Sequence, residues 1–193
     1  NLVNITLPQN LETIGDSAFY GCSSLTNISI PASVTTIGNQ AFMYCTNLIF
    51  SIAANNEYYS NSYDGSMLLN KDKTILIVYP SASGDIVISE NVTTIEDYAF
   101  ISCYNLTSIE LPDSVTTIGY HAFFSCNNLK KVTLPKNLTS IESYAFAHCY
   151  CLENIIIPTK VSTISSYAFY CCDNLQNVIF RDPTTWYYTY NSD

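Results

Sequence analysis

Apolar residues recur along the chain in a fixed order, which is clearest in the stretch that begins at Leu25. Leu25, Ile28 and Ile30 are separated by polar residues and are followed by Pro31. Side chains two positions apart lie on the same face of a strand, and proline has no backbone N–H to donate to a sheet. The pattern predicts a short strand that is apolar on one face and ends at the proline.

A second apolar pair, Val34 and Ile37, follows the proline and leads to Gly38. We interpret this stretch as a second inward-facing side of a small loop, with the glycine at its corner. Because other copies of the unit have Glu96, Glu142 or Ser165 at that corner, we do not expect it to require a positive φ.

The unit continues with Ala41-Phe42 and, three residues later, Cys45. We predict a one-turn helix or 3₁₀ segment here, with the cysteine pointing inward. One unit has inward residues on every side and cannot bury them alone, whereas stacked identical units bury them in continuous rows.

The same unit recurs through most of the chain. Ala-Phe dipeptides stand at residues 18–19, 41–42, 99–100, 122–123, 145–146 and 168–169, each followed three residues later by a cysteine. Neighbouring copies are 23 residues apart, except for a gap of 58 between Phe42 and Phe100. We therefore predict an elongated β-solenoid of about eight coils, roughly 40 Å long at the usual strand spacing.

The gap contains an enlarged unit at about residues 49–88. An Asp64-Gly65 turn between β-prone flanks is a strong hairpin signal, and residues 67–69 and 74–79 are typical of two further strands. We expect a hairpin that projects from the array or splits one coil in two.

The repeated sequence, LTNISIPASVTTIGNQAFMYC in its second copy, resembles the BspA-like leucine-rich repeat, whose signature is LxxIxIP, SVTxIG and AFxxC. The insert is similar to that family's longer variant unit, with its DG turn and YP ending. The resemblance implies a right-handed, mainly β leucine-rich-repeat solenoid with a parallel sheet on one face. We assign it to residues 1–181, and residues 182–193 to a tail in which Trp186 covers the open end.

The resemblance also implies a function class. The family's repeat tracts belong to larger secreted or cell-surface proteins, often linked to adhesion, and have no shared catalytic residues. We expect an extracellular, monomeric, non-catalytic module that binds a protein or glycan of a host or neighbouring cell. The alternative is a structural spacer that displays other domains. The chain begins at Asn1 without a signal-like segment, so we expect it to be part of a longer protein.

Composition narrows the choice of partners. The chain is 48% hydrophobic and 12% charged, with a net charge of −9. Nucleic-acid and anionic-membrane binding both depend on basic surfaces, so we expect neither. No apolar run approaches the ~20 residues of a bilayer span, so we expect no membrane insertion.

The eight cysteines raise the question of disulfides or metal. Six share one inward register, where stacking at about 4.8 Å exceeds the ~3.8 Å Cβ separation of a disulfide. We interpret them as a row of buried thiols, whereas Cys151 and Cys171 lie outside that register and could pair. Structural zinc needs paired C-x₂₋₄-C ligands that are absent here, so we expect no metal or other cofactor. The histidines, His121 and His148, occupy different registers and accompany no catalytic motif.

Two surfaces remain as candidate binding sites. By the two-residue alternation of a strand, two outward slots of each coil can be read along the array. We expect these slots to be small and polar in the N-terminal coils, charged in the middle and apolar in the last two coils. We take as the candidate sheet face Glu110, Lys131, Thr133, Asn154, Ile156, Asn177 and Ile179. The alternative is an aromatic edge, since Tyr98, Tyr144 and Tyr167 share the slot before Ala-Phe. These rings either cover coil corners or form an aromatic track for a sugar or protein partner.

Overall fold

The chain folds into a parallel β-solenoid of about seven turns, as seen in a computed structural model that describes residues 1–181. Within these residues there is no helix. The predicted tail at residues 182–193, including Trp186, lies outside the described residues.

Sixteen strands make up the described part of the solenoid. They are β1 (Thr13–Ile14), β2 (Asn27–Ile30), β3 (Thr36–Ile37), β4 (Ile49–Ile52), β5 (Tyr59–Asn61), β6 (Leu68–Asn70), β7 (Ile75–Val78), β8 (Ser83–Val87), β9 (Thr94–Ile95), β10 (Asn105–Glu110), β11 (Thr117–Ile118), β12 (Lys131–Thr133), β13 (Ser140–Ile141), β14 (Asn154–Ile157), β15 (Thr163–Ile164) and β16 (Asn177–Phe180). Two columns of parallel strands run along the array, one before each proline and one after it.

The longer column consists of a two-stranded sheet (β2, β4) and a five-stranded sheet (β8, β10, β12, β14 and β16), and we call the two together the front sheet. Ser108 of β10 pairs with Lys131 of β12, and Asn154 of β14 pairs with Asn177 of β16. Both offsets equal the 23-residue repeat, so equivalent residues of neighbouring coils stand side by side. The front sheet thus has seven strands among the described residues, and the solenoid has about seven turns rather than the eight coils expected from the sequence.

The front strands alternate buried and exposed residues as predicted. In β2 the side chains of Ile28 and Ile30 are buried and those of Asn27 and Ser29 are exposed. Below the sheet, the phenylalanine rings of successive coils stack, with centroids 4.7 Å apart between Phe100 and Phe123 and similar separations for the next pairs. Each buried row is therefore continuous from coil to coil, as the solenoid prediction requires.

The predicted one-turn helix or 3₁₀ segment at Ala-Phe is wrong: the segment is a chain of hydrogen-bonded turns. Two slots in every coil, the residue before Ala-Phe and the residue before Cys, have positive φ. In the first slot these residues are Ser17, Gln40, Tyr98, His121, Tyr144 and Tyr167. Each is the third residue of a turn closed by an i to i+3 hydrogen bond, the type II position at which φ is positive, so helical geometry cannot propagate.

The alternating geometry sends every second N–H to the next coil. The N–H groups of Tyr98, Phe100 and Ser102 donate to carbonyls of the following coil, while those of Ala99 and Ile101 close turns within their own coil. The same alternation repeats in the coils of Phe19, Phe123 and Phe146. Buried backbone groups must find partners, and here half of those partners belong to a neighbouring coil.

The corner glycine is explained by contact between coils, and its φ is not positive, as expected. A Cβ added to Gly119 would lie within 3 Å of Asp97 Oδ1, which accepts a hydrogen bond from the N–H of Tyr120, and equally close to the backbone of Glu96 and Asp97. Gly38 faces Asp16 in the same way. The coils with Glu142 and Ser165 at the corner follow coils that lack the aspartate.

The enlarged unit splits the array instead of projecting from it. Strands β5, β6 and β7 pair antiparallel with one another, and β7 then pairs parallel with β9 of the next coil. In the front sheet, β4 and β8 are not paired, and the N–H of Phe50 donates to Gly65 of the inserted loop. The core accordingly divides into two clusters, one containing Leu68 and the other Leu69, so the predicted continuous rows stop here.

Two polar side chains replace the missing strand contacts at the split. The amide of Asn56, which is fully buried, donates to the carbonyls of Pro31 and Val34 and accepts from the N–H groups of Tyr58 and Tyr59. The Tyr59 hydroxyl accepts from the N–H of Ile37. These bonds satisfy backbone groups that a regular next coil would otherwise satisfy.

We predict that Gly119→Ala lowers the free energy of unfolding by about 1–3 kcal/mol, because the new methyl group overpacks the Asp97 carboxylate and the backbone of Glu96 and Asp97. Gly15→Ala is the matched control, since a Cβ at Gly15 meets no atom within 4 Å. Urea unfolding would measure both. Equal destabilisation by Gly119→Ala and Gly15→Ala would contradict this explanation.

Candidate functional site

The predicted sheet-face residues lie where the alternation placed them. Glu110 pairs with Thr133, Lys131 with Asn154, and Ile156 with Ile179, in parallel neighbouring strands. The side chains of all seven candidates (Glu110, Lys131, Thr133, Asn154, Ile156, Asn177 and Ile179) are exposed. The front sheet therefore presents them on one continuous surface.

Five of these residues also line a single depression of about 720 Å³, which we call the charged groove. They are Glu110, Lys131, Thr133, Asn154 and Ile156. Asn177 and Ile179 lie on β16 and do not line it. A groove of this volume falls within the range of sites that bind small molecules or peptide side chains.

The groove concentrates the basic residues of an acidic chain. Four of the seven lysines and arginines line it, namely Lys130, Lys131, Lys136 and Arg181. Four acids line it as well: Glu90, Glu110, Asp113 and Glu153. The lining is thus neutral overall, whereas the chain as a whole has a net charge of −9.

One ion pair crosses from coil to coil at the proline side of the groove. Lys136 Nζ lies 2.7 Å from Asp113 Oδ2, and the Lys136 N–H also donates to Asp113. These hydrogen bonds, with a smaller effect of Arg181, hold the pKa of the Asp113 carboxyl below its usual range. The pair is exposed, so it orders side chains more than it stabilises the fold.

Sequence reasoning missed Lys130, Lys136 and Arg181, because none of them occupies the two outward strand slots that were read along the array. Stacking with a 23-residue register brings Lys136 beside Asp113. The signal available in the sequence was the clustering of lysines at positions 130, 131 and 136.

Exposed apolar residues are not confined to the C-terminal coils, contrary to the expectation of a polar N-terminal half. Ile156 and Ile179 are 44% and 50% exposed, but Ile49 of β4 is 48% exposed and Val87 of β8 is 72% exposed. The latter two flank the break in the front sheet. Exposed isoleucine alone therefore does not distinguish the groove from the rest of this face.

The aromatic edge is a stack of rings, one per coil. Successive centroids of Tyr98, His121, Tyr144 and Tyr167 are 5.4, 4.7 and 5.0 Å apart, with interplanar angles of 26° or less. Neighbouring rings cover both faces of His121 and both faces of Tyr144. A sugar therefore could not stack on either residue without separating the stacked rings. The hydroxyls and ring edges remain as the contact surface of this edge.

Further rings broaden the edge beyond the predicted residues. Phe124 lies between the two histidines, with its centroid 4.8 Å from that of His121 and 5.0 Å from that of His148. His148 Nδ1 lies 2.8 Å from the Tyr150 hydroxyl. Burial lowers the pKa of His121, despite the opposing effect of Asp97. Among residues 1–181, no group of three His, Cys, Asp or Glu side chains could hold a metal ion.

All eight cysteines are free thiols, including Cys151 and Cys171. In five coils the inward thiol lies 3.0–3.2 Å from an aromatic residue's carbonyl in the preceding coil, to which it donates. The thiol therefore satisfies a backbone carbonyl, a role beyond that of a small apolar side chain. Burial raises the pKa of Cys45 and of Cys172 to about 11.

The stacked coils, the free-thiol row and the front sheet define a leucine-rich-repeat solenoid. The family model of the BspA type leucine rich repeat region matches residues 1–70 and 79–190 in six copies. The chain therefore belongs to the BspA-type leucine-rich repeat family. None of the curated protein sequences compared with the chain matches it.

Two solved structures show the same fold. A leucine-rich cell surface protein from Faecalibacterium prausnitzii is 31% identical with a TM-score of 0.79, over 93% of this chain and 54% of that chain. The pneumococcal vaccine antigen PcpA is 28% identical with a TM-score of 0.79, over 89% of this chain and 42% of that one. The chain thus spans about half the length of these relatives. Leucine-rich-repeat proteins are typically non-catalytic, and the described residues include no helix long and apolar enough to cross a bilayer.

We predict that the free energy of unfolding decreases as the pH rises from about 9 towards 11. Unfolded thiols ionise near pH 8.5, whereas folded Cys45 and Cys172 keep their protons to about pH 11. The stabilisation that comes from burying these protonated thiols is therefore fully present below their pKa in the unfolded state. It is lost as the pH rises towards their pKa in the folded state. Urea unfolding at stepped pH would measure this, and Cys45→Ala should make the decline shallower. If the free energy of unfolding falls equally steeply with pH in the Cys45→Ala variant, the decrease does not come from the Cys45 thiol and the explanation is contradicted.

Proposed function

We propose that this chain is a non-catalytic binding module of a secreted or cell-surface protein, and that it docks a protein of a host or neighbouring cell in the charged groove. The observation that carries the proposal is the groove itself. It brings together five of the outward strand residues and four of the seven basic residues of an acidic chain.

The chemistry of the groove favours a protein partner over a glycan. Lysines, an arginine and carboxylates alternate around an exposed isoleucine, Ile156. A partner surface with charges of both signs and an apolar centre complements this arrangement, and charge complementarity gives specificity. A neutral sugar can hydrogen-bond to these side chains but carries no charge that complements them. The comparison with a cell surface protein and a vaccine antigen supports an extracellular location.

The spacer alternative rests on the N-terminal coils. Apart from the exposed Ile49, the outward residues of β2 and β4 are small and polar: Asn27, Ser29 and Ser51. A surface without charged or aromatic side chains is expected of coils that only separate other parts of a protein. We assign that role to β2 and β4 and the binding role to the coils of the charged groove.

The proposal predicts that Lys131→Glu and Ile156→Ser each weaken binding to a cell-surface protein about tenfold, the effect of losing a central interface contact. Each has a matched control outside the groove: Lys73→Glu makes the same charge change, and Ile49→Ser removes a similarly exposed isoleucine of the front sheet. Binding of the fluorescently labelled chain to epithelial and bacterial cells would be measured by flow cytometry.

Pretreatment of the cells separates the partner classes. Protease treatment of the cells should abolish binding, and glycosidase treatment should leave it unchanged. If the folded groove variants bind as well as the parent, the groove is not the site. If no cell surface binds the chain, the spacer alternative is favoured over the binding module.

A further inference from the structure

A second depression lies where the enlarged unit interrupts the stack of Ala-Phe turns, and we call it the insert cleft. Its volume is about 270 Å³. One wall carries Asn39 and Gln40, and the facing wall carries Glu96 and Tyr98, with apolar Val78 and other residues below. Gln40 and Tyr98 occupy the same position of the repeat, and the cleft lies between them. A regular coil would place the next residue of the aromatic edge at this point. Its size suits a single side chain better than an oligosaccharide.

The aromatic stack ends at this cleft. His121 covers one face of the Tyr98 ring on the side of the next coil, with the centroids 5.4 Å apart. The cleft lies on the side of the preceding coil, so the other face of Tyr98 is turned towards it. Among the described residues no aromatic ring stacks on that second face. A flat group entering the cleft would therefore continue the stack.

The charge of the cleft is unbalanced. Glu96 and Asp97 both line it, and no lysine or arginine is among its described lining residues. Glu96 is half-buried, and its pKa is raised by this burial first and by the neighbouring Asp97 second. A carboxylate in such surroundings gains from a cation that enters with it, whereas a neutral ligand leaves its loss of solvation uncompensated.

We propose that the insert cleft binds a flat cation, the guanidinium group of an arginine side chain from a protein partner. The guanidinium stacks on the open face of Tyr98 and forms charged hydrogen bonds with Glu96. The amide oxygens of Asn39 and Gln40 accept its remaining N–H groups. Arginine fits better than lysine because its planar group both stacks on aromatic rings and bonds to carboxylates. This inference rests on the proposed protein partner but concerns a different surface from the charged groove.

The test uses the 193-residue chain and a short peptide, acetyl-Gly-Arg-Gly-amide. Titration into the ¹⁵N-labelled protein should move the backbone amide signals of residues around Gln40 and Tyr98 in a saturable way. The same peptide with citrulline, which is neutral and of the same shape, should bind about tenfold more weakly, the effect expected for loss of a charged hydrogen bond. N-acetylglucosamine is titrated as a control ligand, because it offers a ring to Tyr98 but carries no charge.

The repeat supplies matched variants. Glu96→Gln and Tyr98→Ala should each weaken arginine-peptide binding about tenfold, whereas Glu142→Gln and Tyr144→Ala, in the same slots two coils away, should leave it unchanged. Equal binding of the citrulline peptide, tighter binding of the sugar, or an unaffected Glu96→Gln variant would each overturn the proposal. Because cell binding through the charged groove is measured with other variants, failure here would leave the proposed function standing.

Discussion

The structure depends on one constraint: a single coil cannot satisfy its own buried groups, so each coil relies on the next. Alternate N–H groups of four Ala-Phe turns, those of Phe19, Phe100, Phe123 and Phe146, donate to the following coil, and five inward thiols donate to the preceding one. The corner aspartates add a third bond of this kind, which leaves room only for glycine opposite them. All three contacts require the 23-residue register, and this explains why the repeat length is constant while the exposed residues vary.

The enlarged unit is the one place in the described residues where this mutual support is interrupted. Asn56 and Tyr59 take over some of the missing backbone partners, but they do not rebuild the Ala-Phe turn. The interruption divides the core, unpairs β4 from β8 and opens the insert cleft. Disruption of the repeat thus produces the most chemically distinct cavity, while regular stacking produces the charged groove.

The sequence predicted the features that follow from period and side-chain alternation. These include the family, the strands before each proline, the row of thiols and the exposure of Glu110, Lys131 and Ile156. It did not predict the turns, because they depend on a positive φ at the residue before Ala-Phe, and the serine, glutamine, tyrosine or histidine there does not by itself require one. One signal was present: neither positive-φ slot contains valine, isoleucine or threonine in any coil. The insert cleft depends on long-range packing that local patterns do not encode.

The claim that coils are interchangeable units held by a fixed register can be tested by removing one. Deletion of residues 139–161 takes out 23 residues and joins equivalent positions, so the Phe123 ring can stack on Phe169. We expect a shorter solenoid that still unfolds cooperatively in urea, at a lower midpoint, with its remaining inward thiols protected from alkylation. Deletion of residues 139–160 shifts the register by one residue and should abolish both properties. Similar stability of the two deletion variants would contradict the account.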